Sequence, residues 1–112
     1  MKTKEALLAL AALAQENRLA IFRHLVEIGP EGSPVGKIAE MLGLAAPTLS
    51  FHLKELTHAE LLSSRQEGRF IWYVVNFDTM NALIDYLTEN CCGGQPGLCA
   101  PMSKSTRVRS TK

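Results

Sequence analysis

Apolar residues recur every three or four positions near the N-terminus, and this spacing predicts an amphipathic helix. Leu7, Leu10 and Leu13 form its apolar face together with several alanines, and Thr3 can cap its start. Small residues among the leucines allow a second helix to approach closely. The pattern therefore predicts a helix that takes part in a dimer interface.

A second helix is predicted from about Glu16 to Ile28, because Gly29 and Pro30 end the apolar pattern there. Its expected core residues are Leu19, Phe22, Leu25 and Val26. Arg18 and Arg23 fall on its predicted outer face, where we expect solvated side chains, with phosphate contact as the alternative. The task of this helix is therefore expected to be structural.

Two shorter helices around a tight turn are predicted in the centre of the chain. Ser33 is expected to cap the first, with Pro34 at its first helical position, and Gly43 ends it. The second is expected to run from about Ala46 to His58. Such a pair predicts a helix-turn-helix, with a plain core hairpin as the alternative.

The second helix of this pair has two unlike faces. Leu49, Leu53 and Leu56 recur at helical spacing and are expected to face inward, with His52 at the edge of their stripe. A rotation of 100° per residue places short, polar and cationic residues on the other side. Such a surface suits the major groove of DNA. The residues expected to contact DNA from this helix are Pro47, Thr48, Ser50, Phe51 and Lys54.

Strand character follows directly after the helix pair. Leu61 to Glu67 and Arg69 to Val75 are expected to form a hairpin that turns at Gly68. Arg65 and Arg69 flank its tip. A helix-turn-helix followed by such a hairpin predicts a mainly helical winged helix-turn-helix, whose wing lies against the DNA backbone or the minor groove.

A last helix is predicted after the wing. Asn76 or Asp78 can cap its start. Its apolar positions, at helical spacing, are Met80, Leu83, Ile84 and Leu87. We expect these residues to pack as core and against the first helix and its copy in a dimer.

Three stretches of the sequence resemble a known family. They are ALAALAQENRLAIFRHL near the N-terminus, PVGKIAEMLGLAAPTLSFHLKEL followed by AELL, and SSRQEGRFIWYVV in the predicted wing. Over roughly residues 6 to 90, the chain is similar to the ArsR/SmtB winged-helix repressors that sense metals and metalloids. The resemblance implies a homodimer of order αααα, ββ, α, in which the first and last helices form the interface. The fourth helix would then read operator DNA, an imperfect inverted repeat.

The charge of the chain limits how it can bind DNA. The formal net charge is only +1, and the last twelve residues hold four of the basic side chains and no acid. The rest has eight basic and eleven acidic residues, so DNA affinity must come from a local positive face. The candidates are Lys37, Lys54, Arg65 and Arg69, with ordinary solvated surface as the alternative.

The length of 112 residues predicts one domain per chain. Lys2 and Lys4 before an apolar run imitate a signal peptide, but Glu5 interrupts the charge and the run is short and rich in alanine. The run is also too short to span a bilayer. We expect a cytoplasmic protein with no membrane segment. Its predicted parts are a DNA-binding and dimerisation domain (1–90), a cysteine-containing loop (91–99) and a basic, disordered tail (100–112).

All three cysteines lie beyond the last predicted helix. Cys91 and Cys92 are adjacent, and Cys99 follows after GGQPGL, whose glycines and proline allow the chain to fold back. Structural zinc normally takes four ligands, often with a Cys-x₂-Cys spacing, and neither is present. Three thiolates fit a soft centre such as As(III) or Sb(III) better.

The family resemblance bears on the same cysteines. Two metal sites of the family are missing, since no cysteine pair lies between Ser33 and His58 and no histidine follows Asp78. The C-terminal cysteines instead resemble the three-thiolate site of some arsenic-responsive repressors, which implies release from the operator when the metalloid binds. A redox-responsive regulator of the same fold stays open, as does a sensor of methylated arsenicals or of another thiophilic metal that uses two or three of the thiols. A metalloid-sequestering or redox protein without DNA binding also stays open. No catalytic motif is present, so an enzyme is not expected.

Overall fold

The computed structural model describes residues 1–94. Its helices are α1 (Thr3–Leu13), α2 (Glu16–Ile28), α3 (Val35–Leu42), α4 (Ala46–His58) and α5 (Phe77–Leu87), followed by a short 3₁₀ turn at Cys91–Gly94. Its strands are β1 (Ser33–Pro34), β2 (Leu62–Glu67) and β3 (Phe70–Val75). The predicted class, mainly helical with a β-hairpin wing, is confirmed, and the predicted element order gains one short strand.

That additional strand corrects the predicted start of α3. Ser33 does not cap the helix, because Ser33 and Pro34 pair antiparallel with Tyr73 and Trp72 of β3. Pro34 is extended (φ −73°, ψ 153°) and occupies the N-cap position, so the helix begins one residue later than predicted. Gly32 permits this pairing, since a Cβ there would lie 2.5 Å from the carbonyl oxygen of Tyr73. Because Ser33 pairs with the wing, it cannot also cap α3.

The wing is the antiparallel hairpin of β2 and β3. Leu62 pairs with Val75 at its base and Glu67 pairs with Phe70 near its tip, where Gly68 forms the turn. Both strands agree with the sequence prediction to within one residue. With β1 added, the strand order is β1-β3-β2, so the hairpin is joined to the segment that begins α3.

The core lies between α2, α3, α4 and the base of the wing. Its largest fully buried side chains are Ile21, Leu25, Ile38, Leu49, Leu53, Leu56, Leu61 and Leu62. The predicted inward stripe of α4 is confirmed. The prediction that Leu19 is buried is wrong, since 43% of this residue is exposed. At 100° per residue it lies about a third of a turn from the face that Ile21, Phe22 and Leu25 bury.

Helix α1 buries its small residues and exposes its large ones. Ala6, Ala9 and Ala12 face the core. The leucines at positions 7, 8 and 10 are 60%, 46% and 39% exposed. Thr3 does not cap the helix; Lys2 is the N-cap residue, with its N–H donated to a side-chain oxygen of Glu5 at 2.8 Å. The Thr3 hydroxyl instead contacts the Tyr86 hydroxyl at 2.5 Å, which joins α1 to α5.

Asn76, one of the two predicted caps, is the N-cap residue of α5. The Asn76 side-chain oxygen accepts a hydrogen bond from the Thr79 N–H at 3.2 Å. Leu83 is buried, whereas Ile84 and Leu87 are 39% and 58% exposed. The expected core role therefore holds for part of the stripe. Of the helices described in residues 1–94, none is both long and apolar enough to cross a bilayer.

Candidate nucleic-acid interface

The surface of α4 that faces away from the core carries the predicted DNA-contacting residues. Leu49, Leu53 and Leu56 fix the rotation of the helix by burying its opposite face. All five predicted residues of the helix are exposed, and they are Pro47, Thr48, Ser50, Phe51 and Lys54. The helix begins after Ala45, which supplies no side-chain cap. Its first turn therefore presents backbone N–H groups and the positive end of the helix dipole at an exposed position.

The positive charges around this helix differ in how firmly they are held. Lys37, Lys54 and Arg69 are exposed, and none forms an ion pair with another residue in the range 1–94. Arg65 is held in place, because its Nε donates to Glu67 at 2.5 Å and its Nη2 donates to the Glu31 carbonyl oxygen at 2.9 Å. A carboxylate thus offsets part of the Arg65 charge.

Arg65 also belongs to the structure of the wing. Its guanidinium carbon lies 5.1 Å from the centre of the Trp72 ring, its cross-strand neighbour. A cation over an indole face is favourable, and here it orders both strands. The sequence grouped the two wing arginines together, but the structure leaves Arg69, at the turn, as the one without an ion pair among the described residues.

A groove lies between α4 and the wing. Its lining comes from the start of α3, from α4, and from the turn and strand β3 of the wing: Val35, Gly36, Ser50, Leu53, Arg69, Phe70, Ile71 and Tyr73. The groove brings Ser50 and Arg69 to one concave surface. Sequence reasoning missed Phe70 and Ile71, which are 63% and 44% exposed, because strand periodicity cannot show that the core ends before the wing tip.

His52 is the buried polar residue of α4. Only 7% of it is exposed, and its Nδ1 lies 3.3 Å from Nη1 of Arg18. Burial lowers the pKa of His52, the positive charge of Arg18 lowers it further, and Glu55 acts in the opposite direction. Arg18 is therefore not the solvated or phosphate-binding residue that the sequence suggested, since it is half-buried between helices.

The thiols lie just beyond α5. Cys91 and Cys92 are half-buried in the short turn after α5, with their sulfur atoms 3.3 Å apart. Cys99 and the predicted basic tail lie outside the described residues. Within residues 1–94, no three His, Cys, Asp or Glu side chains are grouped so that they could hold a metal. The three-thiol site stays a prediction.

A helix-turn-helix with a β-hairpin packed beside it defines a winged helix-turn-helix DNA-binding fold. Residues 13–65 match a family model described as a helix-turn-helix domain. The chain is 32% identical to the arsenical resistance operon repressor of Bacillus subtilis, over 72% of this chain and 73% of that protein. It spans 64% and 63% of the length of two other curated relatives.

Solved structures share the fold. An ArsR-like transcriptional regulator from Rhodococcus sp. RHA1 superposes with a TM-score of 0.67 at 26% identity, covering 75% of this chain and 76% of that chain. A homodimeric winged helix-turn-helix DNA-binding domain from Mycobacterium bovis superposes with a TM-score of 0.63 at 27% identity, covering 78% and 81%. The chain belongs to the ArsR family of helix-turn-helix transcriptional regulators. The family resemblance is thereby confirmed, whereas the arsenic-responsive type stays a prediction.

Proposed function

We propose that this protein is a cytoplasmic, homodimeric transcriptional repressor that leaves its operator when As(III) or Sb(III) binds Cys91, Cys92 and Cys99. The observation that supports this inducer class is the 3.3 Å separation of the Cys91 and Cys92 sulfur atoms in the turn after α5. Likeness to the arsenical resistance operon repressor supports the same inducer class. In the cytoplasm these thiols would stay reduced and able to bind.

Operator binding is assigned to α4 and the wing. Thr48, Ser50 and Phe51 would meet base edges in the major groove, where short polar and apolar side chains discriminate bases. Lys37, Lys54, Arg65 and Arg69 would meet phosphates or the minor groove. All four side chains are exposed, and a local positive face is needed because a chain with a net charge of +1 has no bulk attraction for DNA.

The dimer is assigned to α1 and α5. These helices are joined by the contact between Thr3 and Tyr86, and each exposes large apolar residues. The exposed set is Leu7, Leu8, Leu10, Ile84 and Leu87. About half of each side chain is exposed, so covering it stabilises an assembly by about 1 kcal/mol each. A second copy would cover them, and the similar domain from Mycobacterium bovis is homodimeric.

The thiols would couple the metalloid to the operator through the dimer. Two sulfur atoms 3.3 Å apart can bind one soft centre, and Cys99 would supply the third ligand. Because Cys91 follows α5, an assigned interface helix, binding would change how the two copies pack and hence the spacing of the two α4 helices. We expect a coupling of about 1–3 kcal/mol, which is about a 5- to 150-fold loss of operator affinity.

The test is a titration of the reduced protein bound to a duplex selected from a random-sequence pool. As(III), Cd(II), Zn(II) and an oxidant are added in parallel, with Cys91→Ser, Cys92→Ser and Cys99→Ser as variants. We expect As(III) to release the parent, and each variant to keep repression but need more As(III). Release should weaken as pH falls, because thiolates are the ligands.

Other results would give other answers. Release by oxidant but not by As(III) indicates the redox regulator. Normal release of Cys99→Ser alone indicates a two-thiol site, suited to methylated arsenicals. If all three variants respond like the parent, the thiol sensor is wrong. If the parent selects no duplex, it is not a repressor, and metalloid sequestration remains.

A further inference from the structure

Arg18 lies where α1, α2 and α4 meet. Its Nε donates to the Ala12 carbonyl oxygen of α1 at 2.7 Å, and its Nη1 lies 3.3 Å from Nδ1 of His52 on α4. Its own N–H donates to the side chain of Gln15, the cap of α2, at 2.9 Å. One side chain thus joins three helices through directional contacts.

Arg18 contacts the C-terminal end of α1, where backbone carbonyl oxygens lack partners within the helix. Ala12 is in the last turn of the helix. α1 has no basic residue of its own in that turn, so the Arg18 guanidinium supplies the positive charge that a helix C-terminus favours. Arg18 is therefore fixed to α1 as well as to α4.

The contact to α4 sets the state of the imidazole. A guanidinium only donates hydrogen bonds, so Nδ1 of His52 must accept, which requires a neutral ring with its proton on Nε2. The ring is buried, and the Phe51 ring meets it edge-on at 5.5 Å. Phe51 and Ser50 are on the exposed face of the same turn, so movement of His52 moves them too.

We propose that Arg18 and His52 are positioning residues that hold the DNA-reading helix α4 in one orientation relative to α1, the assigned interface helix. This inference rests on the proposed function. Leucine packing between helices is non-directional and tolerates small slides and rotations, whereas a hydrogen bond from a guanidinium to a ring nitrogen is directional. The pair therefore transmits a change in dimer packing to the bases that α4 meets.

Protonation of His52 would break the pair. A proton on Nδ1 removes the acceptor and places a second positive charge against Arg18. The charged groups that act on the ring are Arg18 from α2 and Glu55 from α4 itself, and the last turn of α1 holds no charged residue. Burial and Arg18 lower the pKa of His52, so the pair persists at neutral pH and is lost in acid.

Proton binding at His52 determines how stability depends on pH. The folded protein binds a proton at His52 less readily than the unfolded chain, so this residue favours the folded arrangement above about pH 6.5. The contribution falls as the pH drops from that value through the lower pKa of the folded state. Because the intact pair is proposed to position α4, operator affinity should fall in the same window.

The experiment compares four proteins on a duplex that the parent selects from a random pool and on an unselected duplex. Arg18→Gln should weaken binding to the selected duplex about tenfold, with less than a twofold change on the unselected one. Arg23→Gln is the matched control, because it removes the same charge from an exposed position of the same helix. His52→Asn keeps an acceptor near the Nδ1 position but cannot titrate. It should bind like the parent at pH 7.5 and lose the parent's decline towards pH 5.5.

The outcomes separate the two proposals. If the parent binds no duplex, the proposed function fails. If the parent binds, Arg18→Gln matches Arg23→Gln and His52→Asn keeps the parent's pH profile, the positioning pair is wrong. If Arg18→Gln does not fold, the pH profiles of the parent and His52→Asn decide alone.

Discussion

Helices α1 and α4 carry apolar residues at the same helical spacing but turn opposite kinds of side chain to the core. α4 buries Leu49, Leu53 and Leu56 and exposes short polar residues. α1 buries three alanines and exposes Leu7 and Leu10. A helix that turns leucines outward gains free energy only when another apolar surface covers it, whereas the outer face of α4 offers hydrogen bonds and charge. The two helices are therefore suited to different partners, a second copy and a nucleic acid.

The largest expected effect tests the inner face of α4. Leu53→Ala should lower the free energy of unfolding by about 2–5 kcal/mol, because the residue is fully buried and its loss leaves a cavity. Urea unfolding followed by circular dichroism measures it. The loss should be the same at two protein concentrations, since the cavity lies within one copy. A loss below about 1 kcal/mol would mean that this face is not core.

The second effect tests the outer face of α1. Leu10→Glu should weaken the dimer at least about 100-fold, because two copies each lose an apolar contact and gain a charge. Sedimentation at micromolar concentration should show a monomer. Circular dichroism should show unchanged helix content. The matched control is Ser50→Glu, which places the same charge outside α4 and should leave the dimer intact while preventing DNA binding. A Leu10→Glu protein that sediments like the parent would contradict the interface.

The choice of Leu10 follows from the structure. From the sequence, Leu10 and Leu83 are equal candidates for such a charge. Leu83 is only 6% exposed within one copy, so a charge there would damage the fold of the single chain. On α5 the informative position is Leu87, which is 58% exposed.

The third effect concerns bases met by α4. Ser50→Ala should change the preferred sequence at one position of the operator, with a discrimination change of about 1–3 kcal/mol. Lys54→Ala should instead weaken binding on all sequences alike. Binding to a set of duplexes with single base changes measures both. If neither substitution alters operator affinity, the exposed face of α4 does not read DNA.

The smallest effect separates the two wing arginines. Arg69→Ala should weaken binding on every sequence and reduce the slope of log affinity against log salt by about one. Arg65→Ala should change the slope less, because Glu67 already offsets its charge. Titrations at several salt concentrations measure both slopes. Equal slopes for the two variants would show that the ion pair of Arg65 opens when DNA binds.

Periodicity predicted those features that one helix or hairpin determines by itself. The bounds of α4, its leucine stripe and the turn at Gly68 follow from local spacing, and each agrees with the structure. Features that need a second element were missed. Ser33 looks like a helix cap until β3 comes beside it. Leu19 looks like core until the face of α2 is fixed by its neighbours.

The same limit applies to the candidate site. Arg18 and His52 are 34 positions apart, and no spacing pattern along the chain predicts their contact. The exposure of Phe51 and Lys54 was predictable, because the stripe that fixes it lies on the same helix. Whether Cys99 meets the other two thiols depends on residues beyond those described, so that prediction rests on chemistry alone.

The short strand β1 gives the wing the mechanics of a beam that is fixed at one end. β1 extends along β3 only as far as Trp72, and at that level Arg65 also bonds the Glu31 carbonyl oxygen. The part between Gln66 and Ile71 projects beyond both attachments. Deflection at the tip of a beam rises steeply with its free length, so in the proposed complex the tip would follow the phosphates of differing duplexes with Arg69. The base meanwhile stays paired with the segment that begins α3, and the two proposed DNA contacts would adjust independently of one another.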